Sequence, residues 1–236
     1  IAASEQLISH IPLHELLIMG ELGLDGLLYP IKGALAMAQQ AKLEGLTALI
    51  LPIDNVTEAS IIEGISIFGF SQLKEVVHFL KTGEDSIVQS PIGHAIDLPK
   101  VKEQPLPKFE DIKGQEHCKR ALAIASAGGH NLIMIGPPGA GKTMLAKSIV
   151  SILPPLNTKE AIETSQIYSV SNKVNLANQL CYTRPFRQPH HTISNIAMIG
   201  GGSYPQPGEI SLAHNGVLFL DAVSYTHLTL PTNREV

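Results

Sequence analysis

Residues Gly136-Pro137-Pro138-Gly139-Ala140-Gly141-Lys142-Thr143 satisfy the spacing GxxxxGK[ST] at every fixed position. A chain that wraps a polyphosphate must turn successive backbone N–H groups inward, and glycines allow both the backbone angles and the close approach. The lysine supplies a point charge to the β- and γ-phosphates, and the threonine hydroxyl is a ligand for Mg²⁺. A helix starting at Lys142 adds its unpaired N–H groups and the positive end of its dipole. Such a loop needs a second carboxylate to position the metal ion, usually at the end of a neighbouring apolar strand. The run Gly216-Val217-Leu218-Phe219-Leu220-Asp221 ends in one. Read alone, that run is an ordinary core strand with a terminal aspartate; beside a phosphate loop it becomes the Walker-B strand.

Between loop and carboxylate, the stretch Arg184-Pro185-Phe186-Arg187-Gln188-Pro189-His190-His191-Thr192 and the triplet Gly200-Gly201-Gly202 stand out. Two adjacent histidines suggest a metal. Adjacent residues, however, point apart on a helix or a strand, and no third ligand follows at a metal-site spacing, so capping, packing or contact roles are expected. Residues 203–208, SYPQPG, read as a protruding loop, and Lys32 and Lys42 as solvated side chains.

These residues need a scaffold, and the chain spells an α/β one. Residues 14–22 form a β candidate ended by the turn at 23–26, and 33–43 an alanine-rich helix. The run 48–51 (ALIL) is a buried strand stopped by Pro52, and Asn55 is placed to cap a helix running to Glu63. Residues 65–68 return as a strand. Ser71 then caps a helix with Leu73, Val76, Val77 and Leu80 on one face and Gly83 past its end. Residues 84–108 break this pattern with Pro91, Pro99, Pro105 and Pro107 and the lysines 100, 102 and 108, as a stiff linker would. A second α/β unit begins at Phe109: a helix over 115–127 with Cys118, Ala121, Leu122 and Ala125 on one face, a strand over 131–135, and a helix over 142–153 closed by Pro154. The stretch from Lys142 to Asp221 must hold at least one further strand and helix.

Composition excludes several classes. The chain has 236 residues, 44% hydrophobic and only 16% charged, with mean hydropathy +0.15, so it is no disordered charged tail. A formal charge of −4 argues against holding nucleic acid by bulk positive charge, though a local patch or a ring assembly escapes that argument. Two cysteines, Cys118 and Cys181, make neither a CxxC pair nor a disulfide framework, and a cytosolic, cytoplasmic setting is expected. No apolar run approaches the roughly 18 residues of a membrane span, so no membrane role is expected. Ile1 rather than Met opens the chain without a leader pattern, which suggests a fragment.

The run PFRQPHHTIS, the GGG triplet, the stretch PGEISLAHNGVLFLD and the loop GPPGAGKT together resemble the Mg-chelatase-like AAA+ ATPases of the ComM/YifB type. The resemblance covers about residues 7–221. It implies a partial Lon-protease-like, ChlI-like N-terminal domain over 1–83, followed by a truncated P-loop AAA+ core of the helix-2-insert class over 109–221, a parallel-sheet α/β domain. Residues 192–199 would begin helix 2, 200–208 would form the insert, and 210–215 would resume the helix. Nucleotide would be held by residues 136–143 and Met144, with Ile112, Gly114 and Gln115 of the box FEDIKGQ lining the adenine pocket. Lys142 and Asp221 would be catalytic, and Thr143 and Asp221 would hold the metal. The implied cofactors are ATP and Mg²⁺. The implied partners of the complete protein are ATP or ADP, DNA, and further copies in a hexameric ring that drives branch migration during natural transformation.

Two departures bear on activity. The family pattern continues LFLDE, whereas Ala222 follows Asp221 here, and residues 222–236 read as a non-native tail. Leu35 stands where a Lon peptidase would place its catalytic lysine, which disfavours an ATP-dependent peptidase. A magnesium-chelatase motor subunit is the other enzymatic alternative, and a scaffold the non-enzymatic one. The expected behaviour of the fragment is nucleotide binding without efficient hydrolysis.

Overall fold

The computed structural model describes residues 12–83, 106–171, 180, 182–203 and 205–221. They form two units, one of the described residues within 1–99 and 165–180, the other of those within 100–164 and 181–236. The expectations for most of the linker, for Cys181 and Tyr204, and for the tail from Ala222 lie outside the described residues.

The first unit contains β1 (Leu16–Ile18), β2 (Glu21–Leu22), β3 (Leu28–Tyr29), α1 (Ala34–Leu43), β4 (Ala48–Pro52), α2 (Val56–Ala59), β5 (Ser66–Phe70) and α3 (Leu73–Thr82). Its sheet is parallel in the order β1-β4-β5, with Leu16 beside Ala48 and Ile50 beside Phe68. All of β4 and nearly all of β5 are buried, which is why they read as unbroken apolar runs rather than alternating ones. Ile50, Phe68 and Phe70 cluster with Val76 and Phe79 of α3, while Ala34, Leu35, Ala38 and Ala41 are the buried residues of α1, which packs on β4.

Local details differ from the sequence expectation for definable reasons. The carboxylate of Glu75, not the hydroxyl of Ser71, closes the start of α3, accepting from the N–H groups of Ser71 and Gln72 at 2.9 and 3.0 Å. Gly83, at φ 68°, ends that helix as expected. Asn55 does not cap a helix to Glu63. It is buried and recognises the backbone of Ile31 on both sides, accepting from its N–H at 2.9 Å and donating to its carbonyl at 2.8 Å, and α2 stops at Ala59. The run 14–22 is two short strands, β1 and β2, that belong to different sheets.

The second unit contains α4 (Glu116–Gly128), α5 (Lys142–Ser148), the first half of α6 (Thr158–Ser171), β6 (Phe186–Arg187), α7 (Asn195–Ile199), β7 (Gly200–Gly201), β8 (Gln206–Pro207), α8 (Glu209–Leu212) and β9 (Val217–Leu218). Ile112, Leu122 and Leu145 form its apolar cluster, with Phe109, Met134 and Ile149 packed around them. Only Leu122 of the expected α4 face is buried, and Cys118 and Ala121 are exposed. Residues 131–135 are not a strand. Met134 packs on the cluster, but Ile133 and Ile135 are 85% and 93% exposed, and no strand lies beside them among the described residues. A strand exists only through its neighbours' hydrogen bonds, so an apolar run alone does not make one.

β6 and β9 pair in parallel, Phe186 beside Val217 and Arg187 beside Leu218. α7 and α8 are separated by the antiparallel β7–β8 pair. Gly216 permits the close approach of β9 to Pro185, because a Cβ there would run into the Pro185 carbonyl and ring. We expect Gly216→Ala to destabilise the second unit by about 1–3 kcal/mol, the usual cost of overpacking, as read by urea unfolding. Gly45→Ala is the comparison: a Cβ there meets nothing, so only its left-handed backbone (φ 75°) opposes the change.

Candidate functional site

The loop 136–143 takes the form its glycines allow. Gly139 and Gly141 have φ of 78° and 84°, angles that favour glycine, and α5 starts immediately after Gly141. No side chain caps α5, so the N–H groups of its first turn are left for another acceptor. The Nζ of Lys142 donates to the carbonyls of Gly136 and Pro137, both at 2.8 Å, which folds the ammonium over the loop. An uncapped helix start with a lysine beside it fits an anion such as a polyphosphate. Leu145 and Ala146 anchor the loop by burial. Pro137, Pro138 and Met144 are exposed, and Ala140 and Thr143 half-buried.

Of the three residues expected near the adenine, Ile112 lies in the cluster with Leu145 and so packs with the helix that follows the loop. Gly114 and Gln115 are both left-handed, at φ 65° and 58°, and turn the chain into α4. Asp221 is exposed, three residues beyond the end of β9. The amide of Val217 donates to the Pro185 carbonyl and that of Phe219 to the Arg187 carbonyl, both at 2.8 Å, which holds the strand leading to Asp221. No hydrogen bond or strand pairing among the described residues joins Asp221 to residues 136–143. Thr143 and Asp221 offer a hydroxyl and a carboxylate, the hard oxygen donors that Mg²⁺ takes.

His190 and His191 do not point apart: their rings lie 4.1 Å between centroids, because residues 188–190 are neither helix nor strand. His190 Nδ1 lies 2.8 Å from the Thr192 hydroxyl. Among the described residues no group of three His, Cys, Asp or Glu side chains is placed to hold a metal ion. A cleft of about 680 Å³ lies at the far end of the α5 segment, lined by Lys108, Phe109, Lys119, Arg120 and Ser151 among others and by none of residues 136–143.

Two arginines that the sequence reading left without roles organise the strand pair. Arg187 makes a two-pronged ion pair with the buried Glu209 of α8, at 2.6 and 2.8 Å. Arg184 donates to the carbonyls of Pro154 and Asn215, each at 2.7 Å, and pairs with Glu160 at 3.2 Å. Two arginines three apart, with Pro185 between them and Pro189 after, were the available signal in so sparsely charged a chain. Glu160 and Asn157 also close the start of α6 reciprocally, Asn157 N–H to Glu160 at 3.0 Å and Glu160 N–H to the Asn157 side chain at 2.9 Å.

The Asn157 amide above all, and then Arg184, hold the Glu160 carboxyl below its usual range. A carboxyl depressed in the folded state stabilises above its unfolded value, about pH 4.3 for glutamate, and that contribution disappears as pH falls through the folded value. Thermal melts from pH 7 to pH 3 should therefore show wild type above Glu160→Gln at neutral pH, with the gap closing below about pH 4. A gap independent of pH would contradict this.

The family model for magnesium chelatase, subunit ChlI, matches residues 108–232, and a second, for subunit ChlI of Mg-chelatase, matches residues 1–55. The uncharacterized protein YifB of Escherichia coli is 43% identical over 240 residues, covering 100% of this chain and 45% of that protein. The competence protein ComM of Haemophilus influenzae is 43% identical over 236 residues, covering 94% of this chain and 43% of that protein. The archaeal Lon protease of Archaeoglobus fulgidus is 32% identical over 75 residues, 31% of this chain and 11% of that protein. The chain thus spans less than half the length of the YifB and ComM relatives.

Proposed function

We propose that this chain, which belongs to the magnesium chelatase subunit ChlI family and to its ComM/YifB-like members, binds ATP or ADP with Mg²⁺ as part of an AAA+ motor. The observation that carries the reading is the loop itself: left-handed Gly139 and Gly141, an uncapped α5, and Lys142 over the loop carbonyls. The backbone of 136–143 would cradle the phosphates, with Met144 continuing the segment. Lys142 would exchange its two carbonyl contacts for phosphate oxygens. Thr143 and Asp221 would hold Mg²⁺, which when bound neutralises charge on the phosphates. Ile112, Gly114 and Gln115 would border the adenine.

The complete protein, on this reading, forms a hexameric ring that remodels DNA, as in branch migration during natural transformation. The name of the Haemophilus influenzae relative, a competence protein, supports that direction. At −4 net charge a single copy neutralises few phosphates, so DNA would be gripped by several β7–β8 inserts facing a common channel. The first unit is read as Lon-protease-like, with a cytoplasmic setting. Leu35, wholly buried in α1, offers no amine for peptidase chemistry. Among the described residues no helix is long and apolar enough to cross a membrane.

The test is calorimetric titration of the full chain with ATP and with ADP, in EDTA and in Mg²⁺. Saturable binding to both, tighter with the metal, is expected. Absence of binding under both conditions overturns the reading.

A further inference from the structure

We infer that Arg184 is a positioning residue for Asp221, fixing the backbone from which the carboxylate-bearing strand departs; the inference rests on the reading of Asp221 as a metal ligand. The Arg184 side chain is only 15% exposed and spends its donors in three directions. Nε donates to Pro154 O at 2.7 Å, one terminal nitrogen to Asn215 O at 2.7 Å, and the other pairs with Glu160 at 3.2 Å. Pro154 lies in the chain that follows α5 (Lys142–Ser148), and Asn215 stands two residues before β9. One planar group therefore joins the loop that follows α5 to the root of the Asp221 strand.

The bond from Arg184 works beside those from Gly216 N to Ala213 O at 2.9 Å and from Val217 N to Pro185 O at 2.8 Å. Asn215 has φ 57°, the left-handed turn conformation that asparagine tolerates better than most side chains, and it turns the chain from α8 toward β9. Its Nδ2 reaches Glu160 O, Glu163 Oε2 and Thr164 Oγ1, all at 3.4 Å, contacts longer than the 2.7 Å bond from Arg184. The residue next to Arg184 continues the clamp, since Pro185 O accepts from Val217 N at 2.8 Å. The ladder between β6 and β9 is two residues long, so the bonds at its ends bear on its register. Asp221 follows a strand held at its root by Arg184 and Pro185 and nearer its end by the Arg187 carbonyl. A lysine at position 184 retains the charge but lacks the fork that reaches three acceptors at once.

The experiment compares the full chain with Arg184→Lys, Asp221→Asn and the double variant. ATP binding is measured by calorimetry in EDTA and in MgCl₂, and amide hydrogen exchange is followed at Val217 and Phe219. Arg184→Lys should bind ATP in EDTA as the wild type does, but the gain from Mg²⁺ should fall about 10-fold, the low end for residues that orient a metal ligand. Asp221→Asn should lose the same gain, and the double variant no more than that. Exchange at 217 and 219 should speed up in Arg184→Lys. A full Mg²⁺ gain in Arg184→Lys beside a reduced one in Asp221→Asn overturns the positioning role. A full gain in Asp221→Asn overturns it too, and locates the failure in the metal-ligand reading. If Arg184→Lys does not fold, Glu160→Gln, which leaves both carbonyl contacts of Arg184 in place, should show a smaller loss and faster exchange at 217 and 219; unchanged values overturn the inference.

Discussion

Replacing Lys142 by alanine is expected to weaken ATP binding by roughly 10- to 100-fold while leaving the fold intact. The magnitude follows from what the ammonium does. A hydrogen bond to a charged group contributes about 1.5–3 kcal/mol, and each 1.4 kcal/mol is tenfold in affinity. Its present contacts are the carbonyls of Gly136 and Pro137, both exposed, so removing it returns them to water rather than stranding them. Truncation at such a site typically changes stability by no more than about 0.5 kcal/mol. Calorimetry with ATP in Mg²⁺, beside a thermal melt, separates the two effects. Equal affinity in wild type and Lys142→Ala would mean that the loop holds no phosphate, whatever its spacing suggests.

The loop was legible because its chemistry is local. Its residues lie within seven intervals of sequence, and the left-handed angles of Gly139 and Gly141 are ones that their residue type allows. The strands β4 and β5 were legible for a related reason: burial on both faces leaves an unbroken apolar run. Residues 131–135 show the limit of that signal. NLIMI has the composition of a buried strand, yet strand structure depends on partners far away in sequence, and none stands beside it among the described residues. Asn55 reads as a helix cap from its neighbours, but its amide is committed to Ile31, 24 residues away. The same holds for the arginines. Arg184 reaches Asn215 across 31 residues and Arg187 reaches Glu209 across 22, pairings no periodicity encodes. What the sequence does carry is the type of side chain at each position, and that is enough to reason about the chemistry that follows binding.

The chain as it stands should bind ATP without turning it over. Phosphoryl transfer in P-loop enzymes is largely positioning and charge stabilisation, and the attacking water must be oriented by a polar side chain. On the proposed reading of Asp221 as a metal ligand, and by resemblance to the pattern LFLDE, that group would be a glutamate after the aspartate, where Ala222 stands here. A methyl group neither accepts a proton nor aligns water, and loss of a positioned acid or base typically costs on the order of 10²–10⁴ in rate. Binding is untouched by this argument, since Lys142, Thr143 and Asp221 are all present. The measurement is phosphate release at saturating ATP and Mg²⁺ from the 236-residue chain beside Ala222→Glu, with affinities for both taken from calorimetry. Wild type should sit at least about 10²-fold below the variant at equal affinity. Comparable turnover in the two would mean that water is oriented from elsewhere, and that the strand ending in Asp221 does not carry the hydrolytic group.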